Sequence, residues 1–302
     1  MQLKQIRAMD LPRLPERPID AHKTSVGSVL VVAGSWGMAG AAYLAAASTL
    51  RAGAGYVRVA CPDSIYPILA VLLPSAVFVP LRSAPDGGIE PGEAGRIFEA
   101  SRLSKAVIIG PGLADVRENA EIFGELVAKL SRPMVADAGA LNLLAERPEL
   151  MKRLGRDCIL TPHPGEMARL LGATAQEVQG DRTAAVSRLA ELTGSVAVLK
   201  GARTLVADGA RIYENTSGNA GMAKAGTGDV LSGVIGALLV QGLPAFEAAA
   251  LGVYLHGKAG DAAAREKGRG LLAEDVLAAL PRVIRDCDGG RFETGAARKP
   301  GG

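Results

Sequence analysis

Aromatic side chains are scarce in this chain: they make up 4% of 302 residues, with a single tryptophan. A surface that stacks successive bases needs aromatic platforms, and no series of them is present. The formal net charge is only +3 and the basic residues are scattered, so nucleic acid is excluded as an expected partner. Cysteine is equally sparse. Cys61, Cys158 and Cys287 lie far apart and form no CxxC, which argues against a disulfide framework or a zinc site. Cys61 and Cys158 border apolar runs and are expected as buried thiols. No apolar run reaches the length of a membrane span, and Met1–Ile6 lacks the apolar core of a signal peptide. The expectation is a cytoplasmic protein with no membrane partner.

What the chain does contain is a globular balance, 48% hydrophobic against 22% charged, rich in alanine and glycine. Short β-branched runs alternate with helical spacing. Strands are expected at Ser28–Ala33, Tyr56–Ala60, Ala76–Pro80, Ala106–Ile109, Pro133–Ala136, Cys158–Leu160 and Val196–Leu199. Leu205–Ala207 and Arg211–Tyr213, joined by Asp208-Gly-Ala210, read as a hairpin. Helices are expected over Ala41–Leu50, near 91–103, 117–130 and 165–171, after an N-cap at Asp181, to about Gln241, over Pro244–Glu266 and near Ala273–Leu280. Alternation of this kind predicts an α/β fold with three layers and a mostly parallel central sheet. One catalytic domain over 1–287 is expected, beginning with an irregular arm over 1–27. The polar, glycine-rich tail 288–302 is expected to be disordered.

The chemistry gathers where strands end. Five strands run into Gly34–Gly40, Gly110-Pro-Gly112, Asp137, His163-Pro-Gly-Glu166 and Lys200-Gly-Ala-Arg-Thr204. Ligands of open parallel sheets bind outside the carboxyl ends of the strands. A sixth segment, Gly226-Thr-Gly-Asp229, leads into the helical run Val230, Leu231, Val234, Ile235 and Leu238. Glycine admits close backbone approach, and the first amides of a helix form an anion site. Alone, these four residues read more readily as a flexible turn with Thr227 or Asp229 as an ordinary cap; with five convergent loops, a nucleotide or phosphate site is indicated.

The glycines at 34, 37 and 40 miss the G-x-G-x-x-G spacing, and no Walker loop is present. Lys200 suits a phosphate ligand or a solvated strand end. His163, set between two prolines, is presented rigidly and reads as a ligand. His22 lies in the arm, where it is a candidate for contact with the site. His256 falls in a helical pattern and reads as a satisfied packing histidine.

Together the motifs resemble the ADP-dependent NAD(P)H-hydrate dehydratases, a branch of the ribokinase-like superfamily. The resemblance runs from about Asp20 to Leu280. It rests on His22-Lys23, Val31-Val-Ala-Gly-Ser35, Gly40-Ala41, Arg51-Ala-Gly-Ala-Gly55, Gly110-Pro-Gly-Leu113, Asp137 with Ala140-Leu-Asn-Leu-Leu144, Thr161-Pro-His-Pro-Gly-Glu166, Leu199-Lys-Gly-Ala202 with Thr204, and Gly218-Asn-Ala-Gly-Met-Ala with Gly226–Asp229. It implies a three-layer, ribokinase-like α/β/α fold and an enzyme that restores hydrated NADH or NADPH (NADHX, NADPHX) while converting ADP to AMP and phosphate. The implied cofactors are ADP as phosphoryl donor and Mg²⁺ bridging its phosphates.

Position by position, the resemblance makes Asp229 the base, with Gly226, Thr227 and Gly228 supplying amides to the transferring phosphoryl group. Such preorganised donors are worth about 3–4 kcal/mol each in the transition state. Ala41, Gly112, His163 and Asp229 match substrate contacts. Lys200, Gly201, Ala202, Arg203, Thr204 and Gly228 match the adenine nucleotide site. Glu166 and Asp137 are implied to organise the metal, directly or through water. Thr24-Ser25 and Ala225 stand where the family commonly has glycine.

The family often carries a fused N-terminal epimerase domain, for which this chain has no room, so a separate NAD(P)HX epimerase is the expected functional partner. A homo-oligomer, such as a homotetramer, is also expected. The competing enzyme is a ribokinase-like kinase for a hydroxymethylpyrimidine, hydroxyethylthiazole or pyridoxal-like alcohol. A non-enzymatic nucleotide sensor would not need Asp229 as a base.

Overall fold

The computed structural model describes residues 3–288 apart from 18, 115–123 and 125–131. Its ten strands are β1 (Lys4–Ile6), β2 (Ser28–Val32), β3 (Tyr56–Pro62), β4 (Val77–Leu81), β5 (Ala106–Ile109), β6 (Met134–Ala136), β7 (Cys158–Leu160), β8 (Val196–Leu199), β9 (Leu205–Ala207) and β10 (Arg211–Glu214). They form one sheet in the order β1-β10-β9-β8-β7-β6-β5-β2-β3-β4. Only β9 runs antiparallel to its neighbours.

The layers follow from strand periodicity. Val29 and Val31 of β2 face one core, and Leu30 and Val32 face the other. β5 divides in the same way, with Ala106 and Ile108 opposite Val107 and Ile109. Strands covered on both sides need apolar residues at every position, hence the short continuous runs in the sequence. Helices Ala39–Arg51, Thr227–Val240, Ala245–Lys267 and Ala273–Cys287 cover one face. Helices Ala94–Arg102, Gly139–Glu146, Pro164–Leu171 and Arg182–Thr193 cover the other. The chain leaves β2 for β3 and β4 on one side and returns to β5 on the other. The loops after β2 and β5 therefore flank the point where strand order reverses.

Several elements differ from the sequence reading. The first 27 residues contain β1, which pairs in parallel with β10; three residues are too few to show a period, and the pairing partner lies some 200 residues away. The last helix continues past Pro281 to Cys287. Val276, Leu277, Leu280 and Val283 are all buried at helical spacing, so packing outweighs the one ladder bond that proline cannot make. Helices Tyr66–Leu72 and Gly139–Glu146 were not evident as separate elements. Apart from Gly124, the helix expected over 117–130 lies outside the described residues, as does the tail from 289 onward. Cys61 and Cys158 are buried as expected. Among the described residues, no helix is long and apolar enough to cross a membrane.

Candidate active site

The Thr227–Val240 helix opens at Gly226, whose φ of 90° lies in the left-handed region. A Cβ there would fall 2.6 Å from Leu44 Cδ1 and 2.9 Å from Ala273 Cβ, so glycine is required by both conformation and space. The first ladder bond runs from Val230 N–H to Gly226 O. The amides of Thr227, Gly228 and Asp229 thus lie ahead of the intrahelical ladder, at the positive end of a helix of nearly four turns. The Thr227 hydroxyl turns back to donate to Lys224 O at 2.9 Å and Met222 O at 3.0 Å. It fastens the turn, leaving the main chain to meet an anion. Ala225 keeps negative φ, so the alanine where the family commonly has glycine is accommodated without strain.

Behind this turn lies a buried charge cluster. Asp137 follows β6 and is 1% exposed. Its Oδ1 accepts from Lys200 Nζ at 2.6 Å and from Ala138 N–H at 2.9 Å. Its Oδ2 accepts from Ser232 Oγ at 2.6 Å. Glu166 Oε2 stands 3.8 Å from the same ammonium. Lys200 Nζ in turn would lie 3.4 Å from a Cβ on Gly228. Burial pulls the Lys200 pKa down, but Asp137 and Glu166 more than offset this, so it ends above the ordinary lysine value. Ala138 adopts φ 45°, a conformation that costs a non-glycine residue about 1–3 kcal/mol. It places its N–H on the Asp137 carboxylate.

Asp229 is pushed up to about 7, first by burial and then by the Asp137 charge; Lys200 pulls the other way and Glu166 adds to the rise. A carboxylate with that proton affinity is matched to general-base work near neutrality.

His163 caps the Pro164–Leu171 helix. Its Nδ1 accepts from Gly165 N–H at 3.0 Å and Glu166 N–H at 3.3 Å, while Glu166 Oε2 accepts from His163 N–H at 2.7 Å. With Nδ1 acting as acceptor, a neutral imidazole carries its proton on Nε2, which stands 3.5 Å from Glu166 Oε1 on a half-exposed side chain. Across the site, Ala41 and Gly112 touch: a Cβ on Gly112 would lie 2.8 Å from the Ala41 Cβ. Ser35 Oγ fixes their loops by donating to Gly112 O at 2.9 Å. On the far side, Thr204 Oγ1 donates to Gly201 O at 2.8 Å. Arg182 donates to Leu199 O and Lys200 O, bracing the start of the exposed Lys200–Thr204 loop.

Residues 29–282 match the family described as NAD(P)H-hydrate dehydratase. The chain belongs to the NAD(P)H-hydrate dehydratase family. It is 41% identical over 270 residues to the ADP-dependent (S)-NAD(P)H-hydrate dehydratase of Neisseria meningitidis, covering 87% of this chain and 86% of that one. It is 43% identical over 279 residues to the bifunctional NAD(P)H-hydrate repair enzyme Nnr of Moorella thermoacetica, covering 91% of this chain and 52% of the relative. The chain therefore spans about half the length of such bifunctional relatives. A crystal structure of the ADP/ATP-dependent NAD(P)H-hydrate dehydratase of Bacillus subtilis, co-crystallised with ATP/Mg²⁺, superposes with a TM-score of 0.78 at 31% identity, covering 93% of this chain and all of that one. The architecture is ribokinase-like.

For this dehydratase-family chain, contacts link Ala41 to Gly112, His163 to Glu166, Glu166 to Lys200, and Lys200 to Asp137 and Gly228. His22 does not join them. It precedes the short Lys23–Val26 helix, and nearby Gly27 packs against Val240, at the opposite end of a helix about 21 Å long from Gly226. The resemblance implied that Glu166 and Asp137 organise a metal, directly or through water; in the structure both carboxylates stand at the Lys200 ammonium. Both Asp137 oxygens are taken, Glu166 caps a helix, and an ammonium occupies the space between them. Among the described residues, no group of three or more His, Cys, Asp or Glu side chains is arranged to hold a metal. These residues do not fit a directly bound ion.

His256 also departs from the sequence reading. Its Nε2 is shielded from solvent and has no hydrogen-bond partner among the described residues, so it is packed but not satisfied. Burial lowers its pKa to about 4 despite a backbone interaction with Thr227. Ser232 escaped the sequence reading altogether. One turn beyond Asp229, it looks like an ordinary small residue in an apolar helix.

Proposed function

We propose that the chain catalyses ADP-dependent dehydration of hydrated NADH or NADPH, releasing AMP and phosphate and restoring the reduced nicotinamide, a lyase and nucleotide-repair activity. The observation that carries this reading is the place of Asp229 in the first turn of the helix, beside the amides of Thr227 and Gly228, in a buried setting shared with Lys200 where burial and the Asp137 charge push its pKa up to about 7. Asp229 takes the proton of the ring hydroxyl, and the freed oxygen attacks the terminal phosphoryl group of ADP. The bond to AMP breaks, while the amides of Thr227 and Gly228 meet the charge that develops on the phosphoryl oxygens. Hydroxide is a poor leaving group and phosphate a good one. The ring nitrogen lone pair then expels phosphate, and the adjacent ring carbon gives up a proton to restore the double bond.

Ala41, Gly112 and His163 form the substrate side, with the His163 Nε2–H as donor. Lys200 to Thr204 and Gly228 form the nucleotide side. Magnesium enters this reading on the nucleotide phosphates, whose charge it offsets. The hydrate epimers would be interconverted by a separate epimerase. The same reading takes the protein as a cytoplasmic homo-oligomer; the apolar surface of Tyr66, Ile68, Val71 and Leu72 is consistent with subunit packing.

Purified protein with ADP is expected to regenerate the near-ultraviolet absorbance of NADH from its hydrate. No recovery with ADP, together with ATP-dependent phosphorylation of a vitamin alcohol, would instead establish the kinase alternative. His163→Ala is expected to raise the hydrate KM about tenfold, the loss of one hydrogen bond, and to change the ADP KM less than about twofold. A change confined to ADP would remove His163 from the substrate side.

A further inference from the structure

Asp137 and Lys200 follow β6 and β8, which are separated by β7. Two strand spacings are about 9–10 Å, so a long side chain is needed to join these strand ends, and Lys200 does so. Of the pair, Asp137 is closed off at 1% side-chain exposure, whereas Lys200 keeps 18%. Lysine is thus the member able to meet a ligand, and its ammonium rests against Gly228. Asp137 is also bound by Ser232, which lies on the helix that carries Asp229. The cation and the helix entrance are therefore registered to one carboxylate. This is the space where the resemblance implied a metal.

We propose that Asp137 and Ser232 are positioning residues that hold the Lys200 ammonium against the Gly226–Asp229 turn, where it acts as the resident cation for the terminal phosphate of ADP. The proposal rests on the nucleotide side of the reading above. It predicts that Asp137 contributes to nucleotide binding only through Lys200. It also predicts that the contribution is specific to ADP, because AMP lacks the phosphate concerned.

The test is calorimetric binding of ADP and of AMP to the wild type, Asp137→Asn, Lys200→Met and the double variant. For a charge-assisted phosphate contact, Lys200→Met is expected to weaken ADP at least about tenfold and Asp137→Asn at least about fivefold. The double variant should match Lys200→Met within about twofold, since coupled residues are not additive. AMP affinity should hold throughout. Multiplying losses, or equal losses for AMP and ADP, would overturn the proposal. If circular dichroism shows Asp137→Asn to be unfolded, Ser232→Ala decides: it should weaken ADP about threefold in the lysine background and not at all in the methionine background. Unchanged ADP affinity with lysine present would count against it. Hydrate turnover by the wild type is measured alongside. Its absence with an intact ADP cycle would remove the dehydratase reading and leave the cation assignment standing.

Discussion

Asp229→Asn is expected to retain ADP affinity and to lose about 10²–10⁴ in hydrate turnover, the usual worth of a positioned general base. Binding survives because the helix-entry amides and Lys200 are untouched. Turnover falls because the amide cannot accept the hydroxyl proton. Single-turnover kinetics with hydrated NADH check this, and unchanged turnover would remove Asp229 from the base role. The wild-type pH profile follows from the same residue. With a pKa of about 7, only about a tenth of Asp229 is ionised one pH unit below it. The rate should therefore rise with pH through neutrality, and Asp229→Asn should lack that limb.

Stability should move in the opposite direction to activity. The folded state holds the Asp229 proton more tightly than the unfolded chain, whose value is near 3.8. The stability gained from that proton is complete below 3.8 and is lost as pH rises through about 7. Asparagine cannot ionise and escapes the loss. The Tm of Asp229→Asn should exceed that of the wild type by on the order of 2–6 °C at pH 8, with the gap closing towards pH 4. Melting curves at several pH values check the sign.

The largest structural effect is expected at Gly110. Its φ is 120°, and an added Cβ would lie 1.7 Å from Asp137 O and 2.9 Å from Ala140 Cβ. The nearest atom is a backbone oxygen and cannot swing aside. Gly110 O also accepts the N–H groups of Leu113 and Gly139, so the ends of β5 and β6 would have to separate. Gly110→Ala should cost about 3 kcal/mol or more, at the upper end of overpacking penalties. Any folded fraction should bind ADP poorly, because Asp137 anchors Lys200. Denaturant unfolding beside ADP calorimetry would show both losses. A variant as stable as the wild type would mean that this junction yields far more readily than its geometry indicates.

Much of this architecture is readable in the chain. Gly34, Gly110, Gly112 and Gly226 all take positive φ, and each stands in a loop that the sequence marked as functional. Asp181 caps its helix by accepting from Ala184 N–H, as its side-chain type and position suggested. What escaped were features whose partners are remote. β1 is exposed and three residues long, and only β10 makes it a strand. Ser232 carries no local sign of function, and its partner Asp137 is 95 residues away. The unpartnered Nε2 of His256 likewise depends on what packs around it.

The sequence by itself determined the alternating fold, the strand-end loops, the glycine turn and the single carboxylate at the helix entrance, because these depend on local period and backbone freedom. Only the tertiary structure decided what that carboxylate experiences. Asp137, Glu166 and Lys200 come from the ends of three neighbouring strands, and their charges act on Asp229 through space in a buried setting. Proton affinity depends on distance and desolvation, neither of which is written in the order of residues.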